Sequence, residues 1–270
     1  MIKLELEVKK KWYINAIIYI GIIIEERDFM KSDTTIGYDV SKSAKKIDDI
    51  LNLDSSKFEE SKSIPDRSKL TYENGYYVNV GAIFIDIRQS STLTDEHKRP
   101  KLAKLYRSYI SEVVAILNSY EDCKEISIVG DCISGVFEAK NKSQLQNMSN
   151  ASAKIYTLIK ILNYKLRKKN IVEIRVGIGL DYGRALMIKA GYSGSGINDI
   201  VWMGDVVNSA SNLCNKANKD TTKAILVSES LYNYLSENDK EILKYNEAEG
   251  VYECDWVNTG MNNWYKENCK

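Results

Sequence analysis

The chain has 270 residues, enough for one catalytic domain with its own hydrophobic core and an additional segment. Its 38 Lys and Arg residues balance 37 Asp and Glu residues, so no basic field indicates a nucleic-acid partner. The five cysteines form no C-x-x-C pair and no zinc-ligand spacing, and no signal-peptide pattern is present. This usage argues against a disulfide-rich secreted domain and predicts a cytoplasmic location.

The first 75 residues differ from the rest of the chain. Residues 1–44 form an N-terminal extension of unclear role, with an apolar run at residues 12–24 that Asn15 interrupts. A membrane span needs about 20 apolar residues, so no stable membrane insertion is expected. Residues 45–75 combine a short helical pattern with Ser, Lys and Pro, which predicts a linker and entry segment. The catalytic domain is then expected at residues 76–270.

From residue 76 onwards, strand and helix patterns alternate. In chain order they predict a strand at 76–87, a helix at 100–120, strands at 125–129 and 132–137, a helix at 143–169, strands at 172–180 and 184–189, a helix at 205–218, a strand near 224–227, a short helix and C-terminal strands. The order β-α-β-β-α-β predicts an α+β domain of the ferredoxin-like, palm type, in which helices pack on an antiparallel sheet.

Glycine and aspartate mark the turns between these elements. The dipeptide Gly130-Asp131 predicts a tight hairpin between two short strands. The tripeptide Asp181-Tyr182-Gly183 predicts a second hairpin, and the Gly-rich residues 191–196 predict a flexible hairpin extension. Asp205 is the expected N-cap of the helix that follows.

Two carboxylates lie where this topology brings strand ends together. Asp86 ends an otherwise apolar strand, and Asp131 lies in the turn of the following hairpin. These positions can be neighbours at one edge of a ferredoxin-like sheet. Paired carboxylates with few other donors suit Mg²⁺, which keeps several water ligands, so the pair is a candidate metal site. Taken singly, each Asp is better explained as a strand-end or turn residue.

Two polar features accompany the carboxylates. Arg88, Gln89, Ser90 and Ser91 follow the first one, and their successive backbone N–H groups can hold phosphate oxygens. A plain polar loop explains the same residues.

On the helix at 205–218, Asn208, Asn212 and Lys216 recur every four residues and share one face. Two amides and an ammonium suit a phosphoryl transition state, although the polar side of an amphipathic helix has the same pattern.

Three sequence blocks together resemble, in order and spacing, the signature blocks of class III nucleotidyl cyclases. They are Phe84-Ile-Asp-Ile-Arg88, Ile128-Val-Gly-Asp131 and Met203-Gly-Asp-Val-Val-Asn-Ser-Ala-Ser211. Within that family, residues 63–79 and 257–265 resemble the pyrimidine cyclases of the bacterial Pycsar anti-phage systems. The similarity extends from about residue 45 to the end of the chain.

The resemblance implies an enzyme that converts UTP or CTP to the 3′,5′-cyclic monophosphate and pyrophosphate with two divalent cations, Mg²⁺ or Mn²⁺. Asp86 and Asp131 would be the metal ligands, with the Ile87 carbonyl beside them. It also implies a homodimer in which each site combines carboxylates of one subunit with transition-state residues of the other. A separate effector protein would sense the cyclic nucleotide during phage infection.

At the other functional positions of the family, this sequence matches some residues and differs at others. Asn208 matches the family residue that orients the ribose, whereas Asn212 stands where the family has its transition-state Arg. Lys216 and Arg184 are candidates to supply the missing positive charge.

The two base-reading positions hold Ser127 and Val201 in place of a charged pair. Neither the Lys/Asp adenine pair nor the Glu/Cys guanine pair of the family is present, which agrees with a pyrimidine reader. Hydroxyl groups can satisfy the pairing edge of either uracil or cytosine, so both bases stay open.

Several alternatives to a pyrimidine cyclase stay open. A catalytically degenerate, nucleotide-binding regulator is favoured by Asn212 and opposed by the carboxylate pair. A purine (adenylate) cyclase is a second alternative, and an adaptor that uses the apolar run at residues 12–24 is a third. A diguanylate cyclase is disfavoured, since the Gly-Gly-Asp/Glu-Glu-Phe block is missing.

Overall fold

The computed structural model describes residues 35–93 and 99–270. The apolar run at residues 12–24 lies outside the described residues. The chain divides into two compact units: a smaller one that includes residues 35–52 and 189–200, and a larger one of residues 53–188 and 201–270. Among the helices of the described residues, none is long and apolar enough to cross a membrane.

The strands are, in chain order, β1 (Phe58–Glu60), β2 (Gly75–Ile87), β3 (Cys123–Val129), β4 (Cys132–Glu138), β5 (Val176–Gly191), β6 (Asn198–Met203), β7 (Ile225–Val227), β8 (Lys244–Asn246) and β9 (Val251–Cys254). The α-helices are α1 (Val40–Leu51), α2 (Arg99–Asn118), α3 (Lys142–Arg167), α4 (Asp205–Lys216), α5 (Glu229–Tyr232), α6 (Glu237–Ile242) and α7 (Thr259–Asn268). Short 3₁₀ turns occur at Ser55–Lys57, Arg67–Lys69 and Ser90–Thr92.

The smaller unit contains α1 and the tip of the hairpin between β5 and β6. Asp39 caps α1, since its side chain accepts a hydrogen bond from the Lys42 N–H at 3.0 Å. No residue of α1 is buried. The helix runs across residue 45, where the sequence pattern placed the border between extension and linker.

The strands form one mixed sheet in the order β3-β4-β2-β5-β7-β9-β8, with β1 paired to β2 and β6 paired to β5. The four long central strands pair in antiparallel fashion, whereas β1–β2 and β5–β7 are parallel. The succession β2, α2, β3, β4, α3, β5 is the predicted β-α-β-β-α-β order. The α+β class with helices on a multistranded sheet is thereby confirmed.

Alternate residues of β2 face two different helical layers. Ile83 and Ile85 are buried in the core that α2 and α3 form on one face of the sheet. Val80 and Ala82 pack with Ala210 of α4 on the other face. Because side chains alternate across a strand, Asp86 shares the α4 side of the sheet with Val80 and Ala82.

Helix α4 lies directly on the backbone of β5. A Cβ atom at Gly179 would overlap the Ala210 oxygen and the Cys214 nitrogen. At Gly177 it would lie 2.7 Å from the Cys214 oxygen and 2.8 Å from the Ala217 oxygen. Both positions therefore require glycine for a steric reason, and the two glycines fix how closely the helix approaches the sheet.

The hairpin predicted at Asp181-Tyr182-Gly183 is wrong, because β5 continues through these residues. Asp181 and Gly183 pair with residues of β2, and the buried Asp181 carboxylate accepts hydrogen bonds from the Ser228 hydroxyl and the Tyr182 N–H. A hydrogen-bond partner and pairing with β2 thus hold a turn-forming residue in a strand. The turn lies instead at residues 192–197, where the Tyr192 N–H donates to the Ile197 oxygen at 2.9 Å.

The close contact between α4 and the glycines of β5 gives a stability prediction. We expect Gly179→Ala to lower the free energy of unfolding by about 3 kcal/mol, since the new methyl group forces helix and strand apart. Gly183→Ala is the matched control on the same strand face, because its Cβ would lie 3.4 Å from the nearest atom, a Val206 carbon. Urea unfolding measures both variants. Equal losses would show that the close contact at Gly179 does not limit stability.

Candidate active site

The two predicted carboxylates come together at one end of the sheet. Asp86 is the penultimate residue of β2, and Asp131 follows Gly130, whose φ of 64° forms the tight turn before β4. Burial and then the nearby charge of Asp131 raise the pKa of Asp86 to about 6, against the opposing effect of Arg88. The position therefore concentrates negative charge in a partly buried place.

This arrangement fits a divalent cation with oxygen ligands. The Oδ2 atom of Asp131 is buried and has no hydrogen-bond partner among the described residues. A buried carboxylate oxygen without a donor or cation is unfavourable. Within residues 35–93 and 99–270, no group of three or more His, Cys, Asp and Glu side chains forms a metal cage. Two carboxylates completed by water and substrate oxygens are the pattern of Mg²⁺.

At Ile87, only the backbone is available to the predicted metal site. Its side chain is 2% exposed and belongs to the hydrophobic core beneath α2 and α3. A carbonyl oxygen is therefore the one group of Ile87 that a cation beside Asp86 can reach.

Arg88 lines the cavity beside Asp86, but its backbone N–H and both terminal guanidinium nitrogens already have partners within the chain. Its backbone N–H donates to the Arg175 oxygen at 2.8 Å, so it is already bonded and is not a phosphate donor. Its side chain is 7% exposed and turns toward the end of α4, where Nη1 donates to the Cys214 oxygen at 3.0 Å. Nη2 donates to Asp86 Oδ2 at 2.6 Å.

A cavity of about 450 Å³ opens next to the carboxylates. Gln89 and Ser90 line it, and Gln89 adopts a left-handed conformation with φ 58° before the 3₁₀ turn. Such a change of hand in successive residues can turn N–H groups to one side. Arg175 and Lys219 line the same cavity, together with the acidic Asp220, and are positive charges that the sequence motifs did not reveal. Each of these two basic residues is an isolated positive charge in a connecting segment, and no local sequence pattern marks it as a site residue.

Two tyrosines of α2 lie near the carboxylates and were not predicted as site residues. Burial and the charges of Asp131 and Asp86 raise the pKa of Tyr106. Tyr109 is fully buried, and its hydroxyl has no hydrogen-bond partner among the described residues. Burial raises the pKa of Tyr109 well above its ordinary value, and Cys214 adds to the shift. In the sequence, both residues follow the helical spacing of core positions.

The N-terminal cap of α4 corrects another prediction. Gly204, with φ 149°, is the N-cap, and Asp205 is the first helical residue. A Cβ at Gly204 would lie 2.8 Å from the Arg184 oxygen, so the strand beneath selects glycine. Asp205 stabilises the helix instead through its charge in the first turn.

The predicted catalytic amides lie on the face of α4 that points away from its own sheet. Asn208 and Asn212 are exposed, whereas Val206 and Ala210 are buried against the sheet. At about 100° per residue, Asn208 is roughly opposite the buried stripe. Within one chain, the amide face and the carboxylate pair therefore do not face each other across one cleft.

The candidate cations for the missing Arg both have partners. Lys216 pairs with Glu249 at 3.1 Å. Arg184 pairs with Glu60 and stacks over the Tyr77 ring at 3.7 Å from its centre.

The two predicted base-reading residues are separated in the sheet. Ser127 is exposed on the edge strand β3, and Val201 is exposed on β6. Strands β4, β2 and β5 lie between them. At about 4.8 Å per strand, the separation is roughly 19 Å, too far for one base to contact both residues of a single chain.

Comparisons with known proteins agree with this architecture. Residues 72–252 match the family model described as the adenylate and guanylate cyclase catalytic domain. The chain is 45% identical over 251 residues to a protein named uridylate cyclase from Gulbenkiania mobilis, which covers 86% of this chain and 97% of that protein.

A second protein of that name, from Treponema porcinum, is 37% identical over 237 residues, which cover 86% of this chain and 82% of the relative. Among solved structures, the adenylyl cyclase CyaB from P. aeruginosa superposes with a TM-score of 0.55 at 22% identity, over 63% of this chain and 85% of that one. The last match concerns the fold alone.

The buried, unpaired oxygen of Asp131 gives a metal-binding prediction. We expect Mn²⁺ without nucleotide to raise the melting temperature, since an ion at 100 times its Kd stabilises a protein by about 2.7 kcal/mol. Asp131→Asn should abolish this shift without lowering the metal-free melting temperature, because it removes an uncompensated charge. Glu267→Gln, at an exposed acidic residue, is the control. A shift retained in Asp131→Asn would place the ion elsewhere.

Proposed function

The chain belongs to the family of adenylate and guanylate cyclase catalytic domains, and on this premise we propose that it is a uridylate cyclase that converts UTP to 3′,5′-cyclic UMP and pyrophosphate. It is a nucleotidyl cyclase by its family. The observation that carries the proposal is the carboxylate pair Asp86 and Asp131, with its unpaired buried oxygen, in a chain 45% identical to a protein named uridylate cyclase.

Cyclase domains of this class generally depend on divalent metal ions. We assign two ions, Mg²⁺ or Mn²⁺, to Asp86, Asp131 and the Ile87 carbonyl. When bound there, the ions supply acidity at the ribose 3′-hydroxyl and charge neutralisation at the leaving pyrophosphate. The two carboxylates would hold and orient them, and Asp86, near the end of β2, lines the 450 Å³ cavity.

The triphosphate is assigned to that cavity. Backbone N–H groups of Gln89 and Ser90 would donate to phosphate oxygens, and Arg175 and Lys219 would compensate the charge. These groups bind the part of the substrate that leaves, so they serve both affinity and departure of the pyrophosphate.

Cyclase domains often dimerise, and we propose a homodimer with shared sites. Two observations support it. The amides of α4 point away from their own sheet, and Ser127 and Val201 are about 19 Å apart in one sheet. In a dimer, the α4 amides of one subunit would lie opposite the carboxylates of its partner, and Ser127 of one subunit would lie near Val201 of the other. Asn208 would then orient the ribose, and Asn212 would donate to the transition state in place of the family's Arg.

Base selection is assigned to Ser127 and Val201 across the dimer interface. Neither side chain carries a charge that would pair with a purine edge, and Ser127 can donate or accept. A site closed around the smaller pyrimidine would also exclude a purine sterically.

The biological role rests on the resemblance alone. We propose that the cyclic nucleotide acts as a second messenger in cytoplasmic anti-phage defence and is sensed by a separate effector protein. Neither nucleic acid nor a membrane takes part in the proposed reaction.

A second candidate function is a catalytically degenerate cyclase that binds nucleotide and signals without turnover. Asn212 at the position of the transition-state Arg favours it. Release of pyrophosphate from purified protein with Mn²⁺ and each triphosphate distinguishes the two, since the degenerate form releases none.

Base selectivity is the first functional prediction. We expect kcat/KM for UTP to exceed that for ATP and GTP at least tenfold, about 1.4 kcal/mol of discrimination, because the charged pair that reads a purine edge is missing and a smaller site excludes a purine. The four triphosphates are compared side by side with Mn²⁺, with Asp131→Ala as the inactive control. A preference for ATP or GTP would refute the pyrimidine assignment and leave the cyclase assignment in place.

Recovery of activity on subunit mixing is the second functional prediction. Asp131→Ala and Asn208→Ala chains are each expected to be inactive, and mixed dimers should regain part of the activity because one of their two sites is complete. The measurement is cyclic UMP formation by tagged, co-purified heterodimers. Absence of recovery, where exchange of subunits is demonstrated, would indicate sites built within one chain.

A further inference from the structure

The guanidinium of Arg88 joins two parts of the chain that the proposed dimer assigns to different active sites. Nη2 donates to Asp86 Oδ2 at 2.6 Å. Nη1 faces the last turn of α4 and lies 3.0 Å from the Cys214 oxygen, 3.2 Å from the Asn215 oxygen and 3.4 Å from the Ala217 oxygen. One buried side chain thus holds a metal-site carboxylate and a helix end at once.

A glycine on strand β5 leaves space for the Arg88 side chain. Gly177 lies opposite Asp86 in the register of β2 and β5. A Cβ at Gly177 would lie 3.0 Å from the Arg88 guanidinium carbon and closer still to the Cys214 and Ala217 oxygens. The missing side chain leaves room for the planar guanidinium between strand and helix, and its positive charge is favourable at a helix C-terminus.

The helix so held carries the amides of the other site. Asn208 and Asn212 project from the opposite face of α4, away from Arg88 and the sheet. A helix is stiff along its length, so a shift of its last turn moves both amides. Since each proposed site takes its carboxylates from one subunit and its amides from the other, Arg88 acts on both sites of the dimer.

We propose that Arg88 is a positioning residue that ties Asp86 of one active site to helix α4, which carries the amides of the other active site. The proposal rests on the shared-site dimer. It predicts two separable defects when the guanidinium is removed: a loosened metal ligand in one site and a displaced amide face in the other.

Mn²⁺ affinity without nucleotide tests the first defect. Arg88→Ala should weaken Mn²⁺ binding on the order of tenfold, measured by electron paramagnetic resonance, because the Asp86 carboxylate loses the donor that orients it. Arg88→Lys keeps the charge but has one nitrogen, which cannot reach both Asp86 and the helix carbonyls. Arg88→Ala should also lower the melting temperature, and Arg88→Lys should restore the melting temperature but not the Mn²⁺ affinity. Arg167→Ala removes an exposed ion-paired Arg as the control.

Assigned heterodimers test the second defect. In a dimer of one Asn208→Ala chain and one Asp131→Ala chain, the single complete site takes its carboxylates from the first chain and its amides from the second. Arg88→Ala in the first chain should raise the Mn²⁺ concentration required for half-maximal rate. Placed in the second chain, it should lower kcat about tenfold or more, since small displacements of a catalytic group are costly, and leave the Mn²⁺ requirement unchanged.

The outcomes separate this proposal from the function it rests on. Recovery in the parent heterodimer with unchanged kcat when Arg88→Ala is in the second chain overturns the link to α4. No recovery in the parent heterodimer overturns the shared site and the cross-site link together. Unchanged Mn²⁺ affinity in Arg88→Ala overturns the positioning of Asp86. Full rescue of both the melting temperature and the Mn²⁺ affinity by Arg88→Lys overturns the bridging role, because the charge alone is then sufficient.

Discussion

The contact between α4 and the backbone of β5 is the constraint on which the rest of the site depends. Gly177 and Gly179 allow helix and strand to touch without side chains between them. This contact sets which face of the helix is buried, and hence that Asn208 and Asn212 point outward. It also brings the C-terminal carbonyls of α4 to the end of β2, where Arg88 can reach them. If side chains separated the helix from the strand, the C-terminal carbonyls of α4 would lie beyond the reach of Arg88 and the positions of the amides would change.

The carboxylate pair depends on a second local feature, the tight turn at Gly130. Strand β4 pairs directly with β2, so a short turn before β4 returns Asp131 to the end of β2 where Asp86 lies. The raised pKa of Asp86 and the unpaired oxygen of Asp131 are the electrostatic result. Arg88 compensates the charge of Asp86 only, and the buried oxygen of Asp131 without a partner favours a further cation at this position.

Periodicity and turn residues predicted the element order, the α+β class and the Gly130-Asp131 hairpin, because these are local. The predictions that failed depend on contacts between residues far apart in the sequence. Asp181 has the character of a turn residue, but pairing with β2 and a hydrogen bond from the Ser228 hydroxyl keep it in a strand. Gly204 caps α4 because a strand backbone lies beneath it. The placement of Arg88 depends on a helix end more than 120 residues away, which no local pattern encodes. The roles assigned to the site residues stay predictions.

The absence of the family's Arg at Asn212 leaves the question of which cation balances charge in the transition state. Arg184 is held twice, by Glu60 and by the Tyr77 ring, so moving it forfeits a stacking contact as well as an ion pair. Lys216 is held by one ion pair with Glu249 in which the lysine is half exposed, and ion pairs at the surface contribute about 0–1 kcal/mol. Lys216 also lies one turn after Asn212 on the same helical face. A triphosphate opposite that face would therefore draw Lys216 from Glu249 at little free-energy cost, with Asn212 as its neighbouring donor.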